Sequence, residues 1–501
     1  MKKSICMLTI LGMMISLAAC AAKPENNAEE RSSEITAESS IKTSEESSEQ
    51  SKTESSAEVS EESSIQTKTE SSAEASEESS GQTSGESSPQ AVTEMAVPHR
   101  EGYTLEQVLV LSRHNIRSPL SVNGSLLDSV TPYKWYDWSS NPSELSLRGG
   151  ILETETGQYF RKWLESENLF PENYHPEEGA VRIYANSLQR TTATANFFKA
   201  GLLPTADTQV ETHMNYDEMD PVFEPRLTFA TPRYKADAEA QIREMYTDTV
   251  NDLADNYVLI TDVIDMKNSE AWKDGTATEL TTDDMEFYLQ ENKEPGVKGS
   301  MKIACSASDA LILQYYEEAD KKKAAFGHDL TDEQWAQIAE IKDVYGDVLF
   351  SAPLVAANVA HPLLQEIEKE LNTNGRKFTF LCGHDSNICS VLAALNAEAY
   401  ELPGSIERKT PIGSKVVFCR WKAPDGSKYC TADLVYQSAN QLRNLQVMDL
   451  SNHPAVFPIR FSGINSNADG LYSEKDFMNL LRKGIQEYDN IKKEYSLSAA
   501  A

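Results

Sequence analysis

Three short apolar runs in this chain stop abruptly at charged residues, and a loop or helical pattern takes over at each break. The first, Val108-Leu-Val-Leu111, runs into Ser112-Arg-His-Asn-Ile-Arg117-Ser-Pro119. The second, Ala180-Val-Arg-Ile-Tyr-Ala-Asn186, is followed by Ser187, Arg190 and an apolar stretch through Phe197 and Phe198 to Gly201. The third, Lys377-Phe-Thr-Phe-Leu-Cys-Gly383, meets His384 and Asp385 at once, and a helical pattern covers 386–396. Short runs of this composition read as strands buried on both faces. Between the first two, Leu152, Tyr159, Phe160, Trp163 and Leu164 recur at helical spacing within 148–170, a stripe that predicts core packing. Ser187 stands where a residue would cap the helix after the second strand, which puts Arg190 in its first turn and Pro204 beyond its end.

From about 207 to 351 the texture changes to charge-rich helical segments such as 236–266 and 332–350, and then the strand pattern returns. Two β-like runs around Ala423-Pro-Asp-Gly426 predict a hairpin, and a helix is expected over 475–495. The predicted fold class is α/β: a central mixed, mostly parallel sheet flanked by helices. Its core is expected at 98–206 and 352–501, with a helical lobe at 207–351 inserted. In open α/β sheets, sites form beyond the carboxyl ends of strands. Residues at the three breaks can therefore converge although they lie far apart in the chain.

The 501 residues carry a formal charge of −32, which argues against nucleic acid or polyanionic surfaces as partners. The segment 23–97 holds eighteen Glu and no Asp against five Lys or Arg, and it has no aromatic residue. Within it, 52–64 recurs as 68–80 with only Val59 replaced, by Ala75. Such composition cannot bury enough apolar surface to offset chain entropy, so 20–97 reads as a disordered tether. About 75 such residues span roughly 50 Å as a flexible coil. Ahead of it, Lys2 and Lys3 precede an apolar run at 5–19 that is short for a membrane span. Leu17-Ala-Ala-Cys20 resembles the lipobox of bacterial lipoproteins. That resemblance implies removal of a signal peptide of residues 1–19 and lipidation of Cys20; an ordinary secretory signal is the alternative. The protein is then expected outside the cytoplasm, anchored to a bacterial membrane by its lipid. Five cysteines follow Cys20, an odd number, and no spacing suits zinc. Cys419 and Cys430 flank the hairpin turn, which leaves a bridge across it open.

Two guanidiniums beside an imidazole suit a phosphate monoester, because arginine forks grip its oxygens and a ring nitrogen can attack the phosphorus. A surface cluster making ordinary ion pairs is the plainer reading of Arg113, His114 and Arg117 alone. Arg190 at the second break, with His384 and Asp385 at the third, favours the first reading.

Arg113-His114-x-x-Arg117-x-Pro119 together with His384-Asp385 resembles the histidine acid phosphatases, the phytase-containing branch of the histidine phosphatase superfamily. Within it, the chain is similar to the bacterial periplasmic glucose-1-phosphatases. The matching stretches are Tyr184-Ala-Asn-Ser-Leu-Gln-Arg-Thr191, Met219-Asp-Pro221, Glu294-Pro-Gly-Val297, Gly383-His-Asp-Ser-Asn-Ile388 and Tyr436-Gln-Ser-Ala439. The similarity runs from about 102 to 483, and Asn115 departs from the Gly common in phytases. The resemblance implies a nucleophile at His114 and a proton donor at Asp385. It implies phosphate binding by Arg113, Arg117, Arg190 and His384, and a sugar-facing role for Glu294. No cofactor or metal is expected, and the chain gives no reading of oligomeric state. The expected function is hydrolysis of a small phosphomonoester, glucose 1-phosphate favoured. Inositol phosphates are the alternative substrates. A non-catalytic sugar-phosphate-binding lipoprotein is the remaining reading, and it would need neither His114 nor Asp385.

Overall fold

Val108 to Leu111 are all fully buried, because the strand that carries them lies inside a sheet covered on both faces. The structure, a computed structural model, describes residues 99–120 and 126–497. Residues 1–98, which include the expected signal peptide, Cys20 and the expected tether, lie outside the described residues.

The chain begins with β1 (Thr104–Arg113), the one-turn α1 (Leu126–Ser129), α2 (Leu147–Ser166), β2 (Val181–Ala185), α3 (Gln189–Leu202) and β3 (Val210–Glu211). Next come α4 (Pro232–Asn251), α5 (Ala254–Val263), α6 (Glu270–Lys273), the small hairpin of β4 (Glu286–Tyr288) and β5 (Gly296–Lys298), α7 (Ser300–Glu317), α8 (Lys321–Ala324) and α9 (Asp332–Phe350). The sheet resumes through α10 (Pro353–Asn372), β6 (Phe378–Gly383), α11 (Asp385–Ala394), β7 (Lys415–Lys422) and β8 (Lys428–Tyr436). The last elements are α12 (Ala439–Asn444), β9 (Ala455–Pro458), β10 (Tyr472–Ser473) and α13 (Glu474–Leu497).

The sheet order is β10-β8-β7-β1-β6-β2-β3, with β9 also on β8. It is the mixed α/β sheet expected. Strands β1, β6, β2 and β3 run parallel, while β7, β8, β9 and β10 add antiparallel pairings. Alternation along β1 divides the core. Val108 and Val110 meet Phe160 and Trp163 of α2 and Phe198 of α3; Leu109 and Leu111 lie on the side of α10, α11 and α13. Burying each such side chain stabilises the fold by about 1.5–3 kcal/mol. Helices α2 and α3 pack at backbone distance: a Cβ on Gly157 would come 2.2 Å from the Phe198 carbonyl oxygen, and one on Gly201 2.1 Å from that of Thr154.

The structure changes three local expectations. Ser187 does not cap α3; its Oγ accepts from the Met214 N–H at 3.0 Å, and the first amide of the helix, from Gln189, is taken by Asp217 at 3.2 Å. The helical segment over 236–266 breaks at Asp252 and Leu253 into α4 and α5. Cys419 and Cys430 are both free. The hairpin register puts Thr431 opposite Cys419 and Arg420 opposite Cys430. That offset of one residue sends the two thiols to opposite faces of the sheet.

Candidate active site

Register alone brings the three breaks together. Arg113 sits opposite Gly383, and Ala185 sits opposite Cys382, so β1, β6 and β2 end at one level on adjacent strands. His114, His384 and Asn186 are the next residues on each. The His114 N–H donates to the Gly383 carbonyl at 3.0 Å, and the Asn186 N–H donates to that of Cys382 at 2.9 Å. The imidazoles of His114 and His384 lie edge to face with ring centres 5.5 Å apart.

His114 is buried, and its Nδ1 lies 2.9 Å from the Asn115 carbonyl oxygen. A carbonyl can only accept, so Nδ1 carries the proton and Nε2 keeps a free lone pair. Burial pushes the ring well below the usual histidine range, and Arg190, Arg117, His384 and Arg113 push it further. The imidazole is therefore neutral and able to attack. Its neighbour Asn115 is held on both sides. The side-chain amide donates to Glu153 at 2.9 Å, and the amide oxygen accepts from the Ile116 N–H. Glu153 is in turn paired with Lys415 at 2.9 Å, both fully buried.

Three arginines surround this ring. Arg113 donates to Glu407 at 2.7 Å, both almost fully buried, and its other terminal nitrogen is 3.6 Å from Asp385. Burial works against its charge, but Glu407 and Asp385 outweigh that and hold the guanidinium firmly protonated. Arg117 pairs with Asp309 of α7 at 3.0 Å. Arg190 projects from the first turn of α3, where burial and Arg117 lower it to about 10, still charged near neutrality. In all three the Nε–H is buried with no hydrogen-bond partner among the described residues. A guanidinium N–H left without a partner can donate to an anion's oxygen.

His384 is the N-cap residue of α11. The Asn186 side-chain nitrogen donates to its Nε2 at 2.7 Å, and the Asn186 oxygen accepts from the Asp220 N–H at 2.9 Å, which fixes which way the amide points. Burial and then Arg190 push this imidazole well below its usual range too. Asp385 opens α11. Its Oδ1 accepts from the Ser386 N–H at 2.9 Å, while Oδ2 is 2.6 Å from Lys342 Nζ. Burial would raise this carboxyl, but Lys342 and Arg113 hold it well below the carboxylate range. Glu294 lies between β4 and β5 and keeps solvent exposure. The walls around it strip part of its hydration, and with Glu224 they push it up to about 7 against the pull of Arg190.

Arg113, His114, Arg117, Arg190, His384 and Asp385 thus share one charged cluster, and Glu294 responds to Arg190 and Asp385. Cys20 lies outside the described residues. Sequence reasoning missed Glu407, Asp309 and Lys342, single charged residues in loops or helices with no motif around them. Asn186 and Asp220 sat inside matching stretches, so a signal for the amide that orients His384 was present.

The profile of the histidine phosphatase superfamily (branch 2) matches residues 104–438. The chain belongs to that superfamily. As a branch 2 histidine phosphatase it is a phosphoric monoester hydrolase by class. It is 36% identical over 401 residues to a glucose-1-phosphatase of Providencia rettgeri, covering 79% of this chain and 95% of the relative. A glucose-1-phosphatase of Salmonella typhimurium is 38% identical over 385 residues, covering 76% and 92%. Among solved structures, the phytase from Citrobacter braakii superimposes with a TM-score of 0.69 at 26% identity, covering 76% of this chain and 98% of that one.

Proposed function

We propose that this chain hydrolyses sugar phosphates, glucose 1-phosphate foremost, outside the cytoplasm and through a phosphohistidine at His114. The observation that carries this is the neutral His114 ring, with its Nδ1 proton committed to the Asn115 carbonyl, set among arginines with open donors. In this reading Arg113, Arg117, Arg190 and His384 bind the phosphoryl oxygens and offset the charge that builds as Nε2 attacks phosphorus. The P–O bond breaks with its electron pair going to the sugar oxygen, and Asp385 supplies a proton there. Asp385 then takes a proton from the water that displaces phosphate from His114. Glu294 meets the sugar. That the relatives at 36% and 38% identity are glucose-1-phosphatases supports glucose 1-phosphate. Inositol phosphates are the second reading, supported by the 26% identity to a phytase of Escherichia coli and by the phytase fold match. Lipidation at Cys20, with 20–97 as a spacer and 98–501 as the catalytic domain, belongs to the same proposal.

The test is phosphate release from glucose 1-phosphate, myo-inositol hexakisphosphate and p-nitrophenyl phosphate, with chelator present throughout. Glucose 1-phosphate should give the highest kcat/KM of the two natural esters, and His114→Ala should turn over nothing. An acid-labile phosphoenzyme trapped in His114→Ala would refute the nucleophile. A higher kcat/KM for the inositol ester would replace the substrate.

A further inference from the structure

A buried ammonium sits against the carboxylate proposed as proton donor. Lys342, on α9, keeps only 10% of its side chain exposed and holds Nζ 2.6 Å from Asp385 Oδ2. Arg113 also lies 3.6 Å from the same oxygen, but it is paired with Glu407 at 2.7 Å, so Lys342 is the nearer cation to Asp385. The two carboxylate oxygens also differ. Oδ1 is committed to the Ser386 N–H, so Oδ2 is the oxygen left to handle a proton, and it is the one Lys342 touches.

The difficulty for a lone Asp385 is one of supply. With two cations beside it the carboxyl is ionised, and an ionised carboxylate has no proton to give. The proton nearest at hand is on Lys342. We propose that Lys342 is a positioning residue that stores the proton Asp385 delivers, so that the Asp385–Lys342 pair works as one acid and then as one base. This rests on the reading of Asp385 as proton donor. As the P–O bond breaks, Nζ gives its proton to Oδ2 and Oδ2 passes it on to the departing oxygen, leaving an ionised Asp385 beside a neutral amine. When water attacks the phosphohistidine, the P–N bond breaks with its electron pair returning to Nε2. Asp385 takes the proton of that water and hands it back to Lys342. One proton leaves with the sugar and one arrives from water, so the cycle closes.

Charged groups face Lys342 from several elements. Asp385 and Cys389 face it from α11, and Glu407 lies 3.9 Å away in the loop before β7. Arg113 faces it from the end of β1, and Asp309 and Cys305 from α7. Asp343, next on α9, turns aside to accept the Arg408 N–H at 2.7 Å. Burial and Arg113 work to release the lysine proton, but Asp385, Glu407 and Asp309 outweigh them and hold it above its ordinary range.

The experiment compares Lys342→Met and Lys342→Arg with the unaltered full chain. It records kcat against pH on glucose 1-phosphate and on p-nitrophenyl phosphate, whose leaving group hardly needs a proton. Phosphoenzyme trapping and melting temperature are read alongside. At neutral pH both variants should lose about tenfold or more on the sugar ester, toward the lower part of the general-acid range, and less than about threefold on the aryl ester. The basic limb of the sugar-ester profile should move to lower pH. Arginine keeps the charge and the pairing but does not surrender its proton, so Lys342→Arg should not rescue. A wild-type profile in Lys342→Arg would reduce Lys342 to a charge and overturn the relay. Equal losses on both esters would reduce it to packing. If Asp385→Asn itself shows no leaving-group dependence, the donor assignment fails and takes the relay with it; if it does and Lys342→Arg is normal, only the relay fails.

Discussion

Two neutral histidines at the heart of the site cost the fold stability in acid. Both His114 and His384 are buried, and burial with neighbouring arginines pushes each well below the usual range. In the unfolded chain the same rings protonate near pH 6.5. Below that pH the unfolded state binds more protons than the folded one, so stability falls as pH falls. For a ring that stays neutral in the fold, the loss between pH 6.5 and 5 is about 1.6 kcal/mol, or about 3 kcal/mol for the two. His361, also lowered by burial, acts in the same direction. Glu294 and Asp343, each raised to about 7, act in the opposite one, because the folded state takes up their protons first. A difference measurement removes these other groups. Urea unfolding at pH 6.5 and pH 5 of the full chain and of His114→Asn/His384→Asn should show the double variant losing about 3 kcal/mol less, with an unchanged m-value. Curves that run parallel within about 0.5 kcal/mol would mean that the rings are already charged in the fold, and a charged His114 cannot be the nucleophile.

Asp385→Asn should lower kcat on glucose 1-phosphate by about 100- to 10,000-fold and on p-nitrophenyl phosphate by clearly less; parallel losses would remove the proton-donor role. Glu294→Ala should reduce activity on glucose 1-phosphate more than on p-nitrophenyl phosphate, as steady-state kinetics would show, and equal losses would take Glu294 out of specificity. Cys20→Ala should release the protein into soluble fractions or leave an unprocessed precursor on fractionation, and a mature membrane-bound variant would disprove the anchor.

The residues that announce themselves in the sequence are those at strand ends. Val108 to Leu111 and 378–383 read as buried strands because every position is apolar or small, and parallel pairing then obliges His114 and His384 to be neighbours. The stripe from Leu152 to Leu164 was legible for the same reason of spacing. What tunes those residues was not. Lys342 is one charge on a charged helix, and its meaning depends on the packing of α9 against α11, which carries Asp385. Glu407 lies in an irregular loop, where no periodicity tells a buried carboxylate from a solvated one. Ser187 has the right type and position for a cap, yet a remote acid, Asp217, reaches the helix end first. The hairpin cysteines were adjacent in pattern, but a one-residue register offset is invisible until the turn geometry sets it.

That offset bears on how the protein is made. Cys305, Cys382, Cys419 and Cys430 are buried and Cys389 is half-buried, all as free thiols. Burial pushes Cys305 and Cys430 up to about 12 and raises the other three as well, so almost no thiolate is present to react. Assembly of this domain therefore includes no oxidation step. The fold needs no disulfide to reach its final structure, which packing alone holds. A reductant, equally, finds no cross-link to cut.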